Sequence, residues 1–306
     1  MKRPIVVTGS HRSGTTWVGR MLCLSGEAGY IHEPLNPVRR PNWMKHPVPY
    51  WYVYITEANE HLYRDDLERV MRFRFPVRNA GRLRKPEHLG MAVTDVARTL
   101  RPQRKDARPL LKDPFALFSA AWFEARYDAD IVVTVRNPVA FVGSIKRLDW
   151  QFKFKTLLAQ GTLMADLLHP FEGDMRRCRD TDVDVVEQGI VLWNVLHHAI
   201  DQLRAEHPRW SVVRHEDLAL DPVPGFADLY ARCGLTWSDD VQRQIASFST
   251  GEPKAELPTW RHGSVKRDST GATQTWRSRL TDEEVVRVKA GTADVAALFY
   301  DDAIFS

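Results

Sequence analysis

Cysteine is scarce in this chain. Cys23, Cys178 and Cys233 are the only three among 306 residues, and their odd number and wide separation exclude both a disulfide framework and a C-x-x-C metal site. Long apolar runs are missing as well. No stretch approaches the roughly 18 residues needed to span a bilayer, and residues 5–7 form too brief a run for a signal-peptide core. A reducing, cytoplasmic setting is expected. Fixed-period repeats and low-complexity tracts are also lacking, which sets aside solenoids and propellers. Net charge is small, 43 Lys and Arg against 39 Asp and Glu, or +4.

What remains is an ordinary globular composition, 43% hydrophobic and 27% charged, which argues against disorder. A chain of this length buries about three quarters of its unfolded surface and needs no staple. Length alone allows two domains or one large α/β unit. The charge is uneven: residues 69–108 hold twelve Lys or Arg against Glu87, Asp95 and Asp106. That excess predicts a basic face suited either to solvent or to anions.

Short apolar runs at 5–7, 110–111, 131–135 and 211–213 read as buried strands. Trp17, Met21 and Leu24, at i, i+4 and i+7, and the stretch 185–203 read as helices. Their alternation predicts an α/β fold with a mostly parallel sheet covered on both faces. Thr281-Asp282-Glu283-Glu284 has capping-box spacing, with Val285 and Val288 following and Gly291 as the expected stop. Two stretches break the alternation. Residues 36–108 are rich in Pro, aromatics and Arg, and 150–182 carry Trp150, Phe152, Phe154 and Phe171. Both read as insertions on one core, where substrate contacts usually reside. Trp43, Tyr50, Trp51, Tyr52 and Tyr54 either pack or stack on sugar or aromatic rings.

After the first predicted strand comes Gly9-Ser10-His11-Arg12-Ser13-Gly14-Thr15-Thr16. A strand, a glycine loop and a helix start present main-chain N–H groups to a phosphate-like group. The spacing follows G-x-x-x-x-G-K-[ST], but Thr15 stands where the lysine belongs and the basic residue is Arg12. In nucleoside triphosphatases that lysine reaches the β and γ phosphates. The loop therefore suits a less charged terminal group and no metal.

Arg12-Ser13-Gly14-Thr15-Thr16 resembles the 5′-phosphosulfate loop, [KR]-S-G-[TS]-[TS], of the PAPS-dependent sulfotransferases. Ile131-Val132-Val133-Thr134-Val135-Arg136-Asn137-Pro138, with Ser144 eight residues beyond Arg136, resembles that family's 3′-phosphate motif. A buried strand would deliver Arg136 to the sheet edge, Asn137 can cap and Pro138 suits the first helical position. Arg grips phosphate with two parallel bonds. His215-Glu216-Asp217-Leu218 is similar to the family's Tyr-Glu-Asp-Leu segment, with His215 replacing the tyrosine. Lys266-Arg267 and Gly271 before Trp276 are similar to its basic C-terminal loop at altered spacing. The resemblance implies a P-loop-like single domain over 1–306 that takes PAPS as co-substrate without a metal. Arg12, Ser13, Gly14, Thr15, Thr16, Arg136, Ser144, Lys266 and Arg267 would bind the nucleotide.

Sulfuryl transfer needs a base for the acceptor hydroxyl, cations for the leaving phosphate and in-line placement. Arg12 and Lys112 are the candidate cations. Lys112 is similar to the lysine of the family's Lys-Thr-His segment, but Asp113 and Pro114 follow it, so the histidine base of the cytosolic branch is absent. Tyr30-Ile31-His32-Glu33-Pro34 resembles the Glu-containing segment of the carbohydrate and tyrosyl-protein branches and makes Glu33 the expected base. Asp113 ranks second and reads as a turn or cap residue. Pro34 predicts an extended Glu33, with His32 and Glu33 on opposite faces. The expected acceptor is a carbohydrate or other small hydroxyl compound. No nucleic-acid partner and no transmembrane segment belong to this reading. The alternatives are a P-loop kinase using ATP and magnesium and a non-catalytic nucleotide-binding protein.

Overall fold

The computed structural model describes residues 2–38, 44–45, 48–74, 106–249 and 278–301. Its sheet is built from β1 (Ile5–Gly9), β2 (Ala28–His32), β3 (Arg108–Lys112), β4 (Asp130–Val135) and β5 (Ser211–Arg214). All pairings are parallel, in the order β2-β3-β1-β4-β5. Residues alternate between two cores. Ile5, Val7, Leu110 and Val132 pack on one side with Val18 and Met21. Val6, Leu111, Ile131 and Val133 pack on the other, with side chains of the helices Pro138–Arg147, Val185–Glu206 and Asp282–Ala296. Strands buried on both faces read as unbroken apolar runs, which is why β1, β3 and β4 were legible; β5, a partly buried edge strand, showed itself through Val212 and Val213. β2 was not anticipated: Ala28-Gly29-Tyr30-Ile31-His32 is a sheet-edge strand with no apolar run.

The 281–284 capping box forms as expected, but its helix runs to Ala296, past Gly291. Gly291 is a packing residue rather than a stop, because a Cβ there would lie 2.9 Å from Ile190 Cγ2 of the neighbouring helix. The first helix ends at Met21, so Leu24 lies in the following turn, although it still packs against the same core.

Described parts of both expected insertions pack into the core, through Tyr52, Ile55 and Leu67 from the first and Phe152, Leu157 and Met175 from the second. Trp43, residues 75–105, Lys266, Arg267, Gly271 and Trp276 lie outside the described residues. Of the basic stretch, Arg69, Arg72 and Arg108 each face an acid, at 2.6 Å from Asp66, 4.0 Å from Glu68 and 2.5 Å from Asp130. Arg108 opens β3, at the strand end opposite Lys112. These three arginines therefore do not form the bare basic face that their number suggested. Among the described residues no helix is long and apolar enough to cross a membrane.

The strand order reverses direction across β1 and β4, and open α/β sheets bind ligands outside the carboxyl ends of their strands at such a point. Each expected site residue within the described part follows or ends a strand there, or sits in the helix that follows.

Candidate active site

The glycine loop leaves β1 under tight constraint. Gly9 has φ 135°, and a Cβ on it would meet the Thr134 carbonyl oxygen at 2.2 Å. Gly14 has φ 94°, and a Cβ on it would strike His215 Nδ1 at 2.4 Å. A residue with a Cβ would have to displace β4 at Gly9 or the His215 ring at Gly14, and both positive φ values favour glycine. Inside the loop Ser13 Oγ donates to the Ser10 carbonyl and lies 2.6 Å from Thr134 Oγ1. Arg12 sits at φ 68°, a left-handed conformation rare for a side-chain-bearing residue.

β4 pairs directly with β1, so the two expected anion-reading turns meet. Arg136 Nη1 donates to the Arg12 carbonyl at 2.7 Å, and Arg12 Nε donates to Ser144 Oγ at 2.9 Å. Asn137 caps the helix Pro138–Arg147, its side chain accepting from Val139 and Ala140, with Pro138 at the first turn. Two contacts that the sequence did not reveal hold this turn. Trp193 Nε1 donates to the Arg136 carbonyl at 2.9 Å, and Glu216 Oε1 accepts from the Asn137 N–H at 3.0 Å. Burial, opposed by the Asn137 hydrogen bond and by the charge of Arg136, raises the Glu216 carboxyl above the usual range. His215, where the resembling segment has tyrosine, is pushed down to about 3 by burial and then by the Arg136 charge.

On the other side of β1, β2 and β3 pair with His32 opposite Lys112. Glu33 N then donates to the Lys112 carbonyl at 2.8 Å, which brings the two side chains together. Lys112 Nζ, fully buried, is ion-paired with Glu33 Oε1, while Asn36 Nδ2 donates to Glu33 Oε2 at 2.8 Å. Lys112 therefore faces the expected base. Glu33 is not extended: its φ is 46°. The turn is anchored by Asp113, whose Oδ2 accepts from Leu35 N at 2.6 Å, and this overrides the preference set by Pro34. As a result His32 Nε2 comes within 3.9 Å of Glu33 Oε1, so the two side chains lie side by side, contrary to the sequence expectation. Asp113 is a cap, accepting from Phe115 N at 3.0 Å, and burial followed by the charge of Glu33 raises its carboxyl to about 7.

Ser10 Oγ and His215 Nδ1 are buried beside the loop and make no hydrogen bond among the described residues. Buried polar atoms of this kind are usually satisfied by a ligand or water, and together with the glycine cradle they fit the phosphorylated end of a nucleotide. Comparison with known proteins places the chain. The profile described as the sulfotransferase family matches residues 4–239. The chain belongs to the sulfotransferase family. Mouse carbohydrate sulfotransferase 5 is 33% identical over 82 residues, 26% of this chain and 20% of that protein. The sulfotransferase domain from the curacin biosynthetic pathway aligns at 12% identity and a TM-score of 0.46, covering 96% of this chain and 98% of that one. A Mycobacterium tuberculosis H37Rv sulfotransferase aligns at 22% identity and 0.43, covering 96% and 77%.

In this member of the sulfotransferase family the expected aromatic segments meet beside the loop. A cleft of about 440 Å³ is lined by Val38, Trp51, Asp149, Trp150, Gln151 and Lys153. Trp51 and Trp150 meet edge to face with centroids 5.7 Å apart. The Trp150 ring centre lies 4.3 Å from that of His11, and the Trp51 ring centre 4.6 Å from that of Phe115. The cleft thus adjoins both the glycine loop and the turn after Lys112. Tyr52 and Tyr54, by contrast, serve the protein itself: Tyr52 is fully buried and Tyr54 Oη donates to Asp166 at 2.9 Å. Among the described residues no group of His, Cys, Asp or Glu is arranged to hold a metal ion.

Proposed function

We propose that the protein transfers a sulfuryl group from 3′-phosphoadenosine 5′-phosphosulfate to an acceptor hydroxyl on a carbohydrate or other small metabolite, releasing 3′,5′-bisphosphoadenosine. The observation that carries this reading is the junction of the two turns on adjacent strands, Arg136 to the Arg12 carbonyl and Arg12 to Ser144. A ligand with anionic groups at two ends matches such a pair. When bound, the co-substrate supplies the activated sulfuryl group. Arg12, Ser13, Gly14, Thr15 and Thr16 hold its 5′ end, while Arg136 and Ser144 hold its 3′-phosphate. Lys266 and Arg267 join them on the strength of the family resemblance alone.

Glu33 takes the proton of the acceptor hydroxyl. Lys112 and Asn36 both donate to its carboxylate, so Lys112 acts by fixing the base, while Arg12 offsets charge at the departing end. The cleft between Trp51 and Trp150 receives the acceptor. Indole surfaces suit a ring, and Asp149, Gln151 and Lys153 offer acceptors and donors for several hydroxyls. The local similarity to a carbohydrate sulfotransferase supports this class. The segments 36–108 and 150–182 are insertions within one domain. The three thiols are unpaired, and burial pushes Cys178 up to about 11 and Cys23 and Cys233 to about 12, which suits a reducing compartment and no thiol chemistry.

Incubation with sulfate-labelled PAPS and a panel of glycans, phenols, lipids and peptides tests the reading. Label is expected to move to a hydroxyl compound without added metal, most readily to glycans. Transfer of phosphate from ATP, with no sulfate transfer to any acceptor, would sink it.

A further inference from the structure

The phosphate loop is gripped by a residue that neither motif contains. Tyr52, 41 positions away in sequence, places its hydroxyl 2.9 Å from the main-chain N–H of His11 and 2.6 Å from Nδ1 of the same residue. The single hydroxyl accepts the first bond, and its second contact ties down the imidazole ring itself. His11 Nε2, on the other side of the ring, is buried with no hydrogen bond among the described residues. The ring lies against Phe115, Phe141 and Trp150. Burial, followed by the nearby Arg12 charge, pushes His11 down to about 3, which leaves it neutral. His11 thus contributes shape to the loop and leaves the charge to Arg12.

Tyr52 is held firmly. It is fully buried, with ring centres at 5.2 Å from Phe115 and 5.7 Å from Phe118. Its carbonyl accepts from Gln160 Nε2 at 3.3 Å, and Gln160 Oε1 accepts from Tyr54 N at 2.9 Å. Ser119 Oγ donates to the Val53 carbonyl at 2.6 Å and accepts from Ile55 N at 3.0 Å. Both aromatic segments therefore converge on Tyr52, one by sequence and the other through Gln160. The backbone is bent on each side of the contact: Tyr52 has φ 55° and Arg12 φ 68°. Such conformations persist where the surroundings over-determine them, and they cluster at functional sites. The stretch His11-Arg12 is pinned at both ends, with Tyr52 on the His11 N–H and Arg136 on the Arg12 carbonyl.

We infer that Tyr52 is a positioning residue for nucleotide binding, its hydroxyl latching His11 so that the loop is preorganised for the 5′ end of the co-substrate. This rests on the sulfotransferase reading of the loop. Preorganisation raises affinity by removing the ordering cost from the binding step. The effect belongs to the 5′ end, because the 3′-phosphate is read by a different turn.

Calorimetry on Tyr52→Phe, which removes one oxygen and keeps the ring, tests the latch with two nucleotides. Affinity for 3′,5′-bisphosphoadenosine is expected to fall about tenfold, while affinity for adenosine 3′-monophosphate changes less than twofold. His11→Phe, which breaks the side-chain half of the latch from the other partner, should lose bisphosphate affinity in the same selective way. The double variant should bind no more weakly than the poorer single one, since both remove the same contact. Unchanged bisphosphate affinity in Tyr52→Phe, equal losses for both nucleotides, or fully additive losses would overturn the inference and leave the sulfotransferase reading standing. A wild-type protein that bound neither nucleotide would overturn both.

Discussion

Glu33→Gln is expected to lower kcat by about 10² to 10⁴, the range that a positioned general base contributes, while affinity for 3′,5′-bisphosphoadenosine stays near that of the wild type. The amide keeps the size of the side chain and its bond from Asn36 but cannot take the acceptor's proton. The variant has a second effect that must be separated from the first. Lys112 is fully buried and paired with Glu33, and removing one partner of a buried ion pair costs about 3–5 kcal/mol because the other charge is left uncompensated. Thermal stability should therefore fall as well. Turnover is to be compared at a temperature where circular dichroism shows the variant folded, with nucleotide affinity as the internal control. Asp113→Asn and His32→Ala are expected to cost far less in turnover, since Asp113 caps a turn and His32 lies beside the carboxylate. Near-normal kcat in folded Glu33→Gln would move the base to Asp113.

Arg136→Ala is expected to weaken 3′,5′-bisphosphoadenosine by about 1.5 to 3 kcal/mol, the scale of a hydrogen bond to a charged group. Affinity for adenosine 5′-monophosphate, which lacks the 3′-phosphate, should hardly change. The structure makes this selectivity a demanding test, because Arg136 also donates to the Arg12 carbonyl inside the phosphate loop. If that contact were its main role, the loop would loosen and both nucleotides would suffer equally. The turn itself should survive the substitution. Its backbone is held by Trp193 at the Arg136 carbonyl and by Glu216 at the Asn137 N–H, and Tyr300 Oη donates to the far oxygen of Glu216 at 3.1 Å.

Features written in consecutive residues were legible from sequence. The loop, the Arg136-Asn137-Pro138 turn and the capping box of the last helix each depend on local spacing. The doubly buried strands declared themselves through apolar runs. Contacts made across the fold were not legible. Nothing near Tyr52 signals that its hydroxyl reaches His11, and Trp193 looks like one more core aromatic within a long helix. Glu216 was visible inside a recognisable segment, yet its bond to Asn137 depends on β4 and β5 lying side by side. Glu33 shows a local rule losing to tertiary contacts: Pro34 favours an extended neighbour, but ties from Lys112 and Asp113 hold the turn in a left-handed conformation. Gly291 was misread for a similar reason, since its use is the close approach of Ile190.

In the proposed function the loop and the β4 turn together read a nucleotide carrying a 3′-phosphate and a 5′ anionic group. Calorimetric titration of the wild-type protein with 3′,5′-bisphosphoadenosine and with ATP, in EDTA, tests it most directly. Thr15 stands where a triphosphate-binding lysine would be, and in the proposed function Arg136 and Ser144 form the second anion site. The expected result is binding of the bisphosphate without magnesium and more tightly than ATP. Magnesium-dependent binding of ATP, with no preference for the 3′-phosphate, would overturn the sulfotransferase reading.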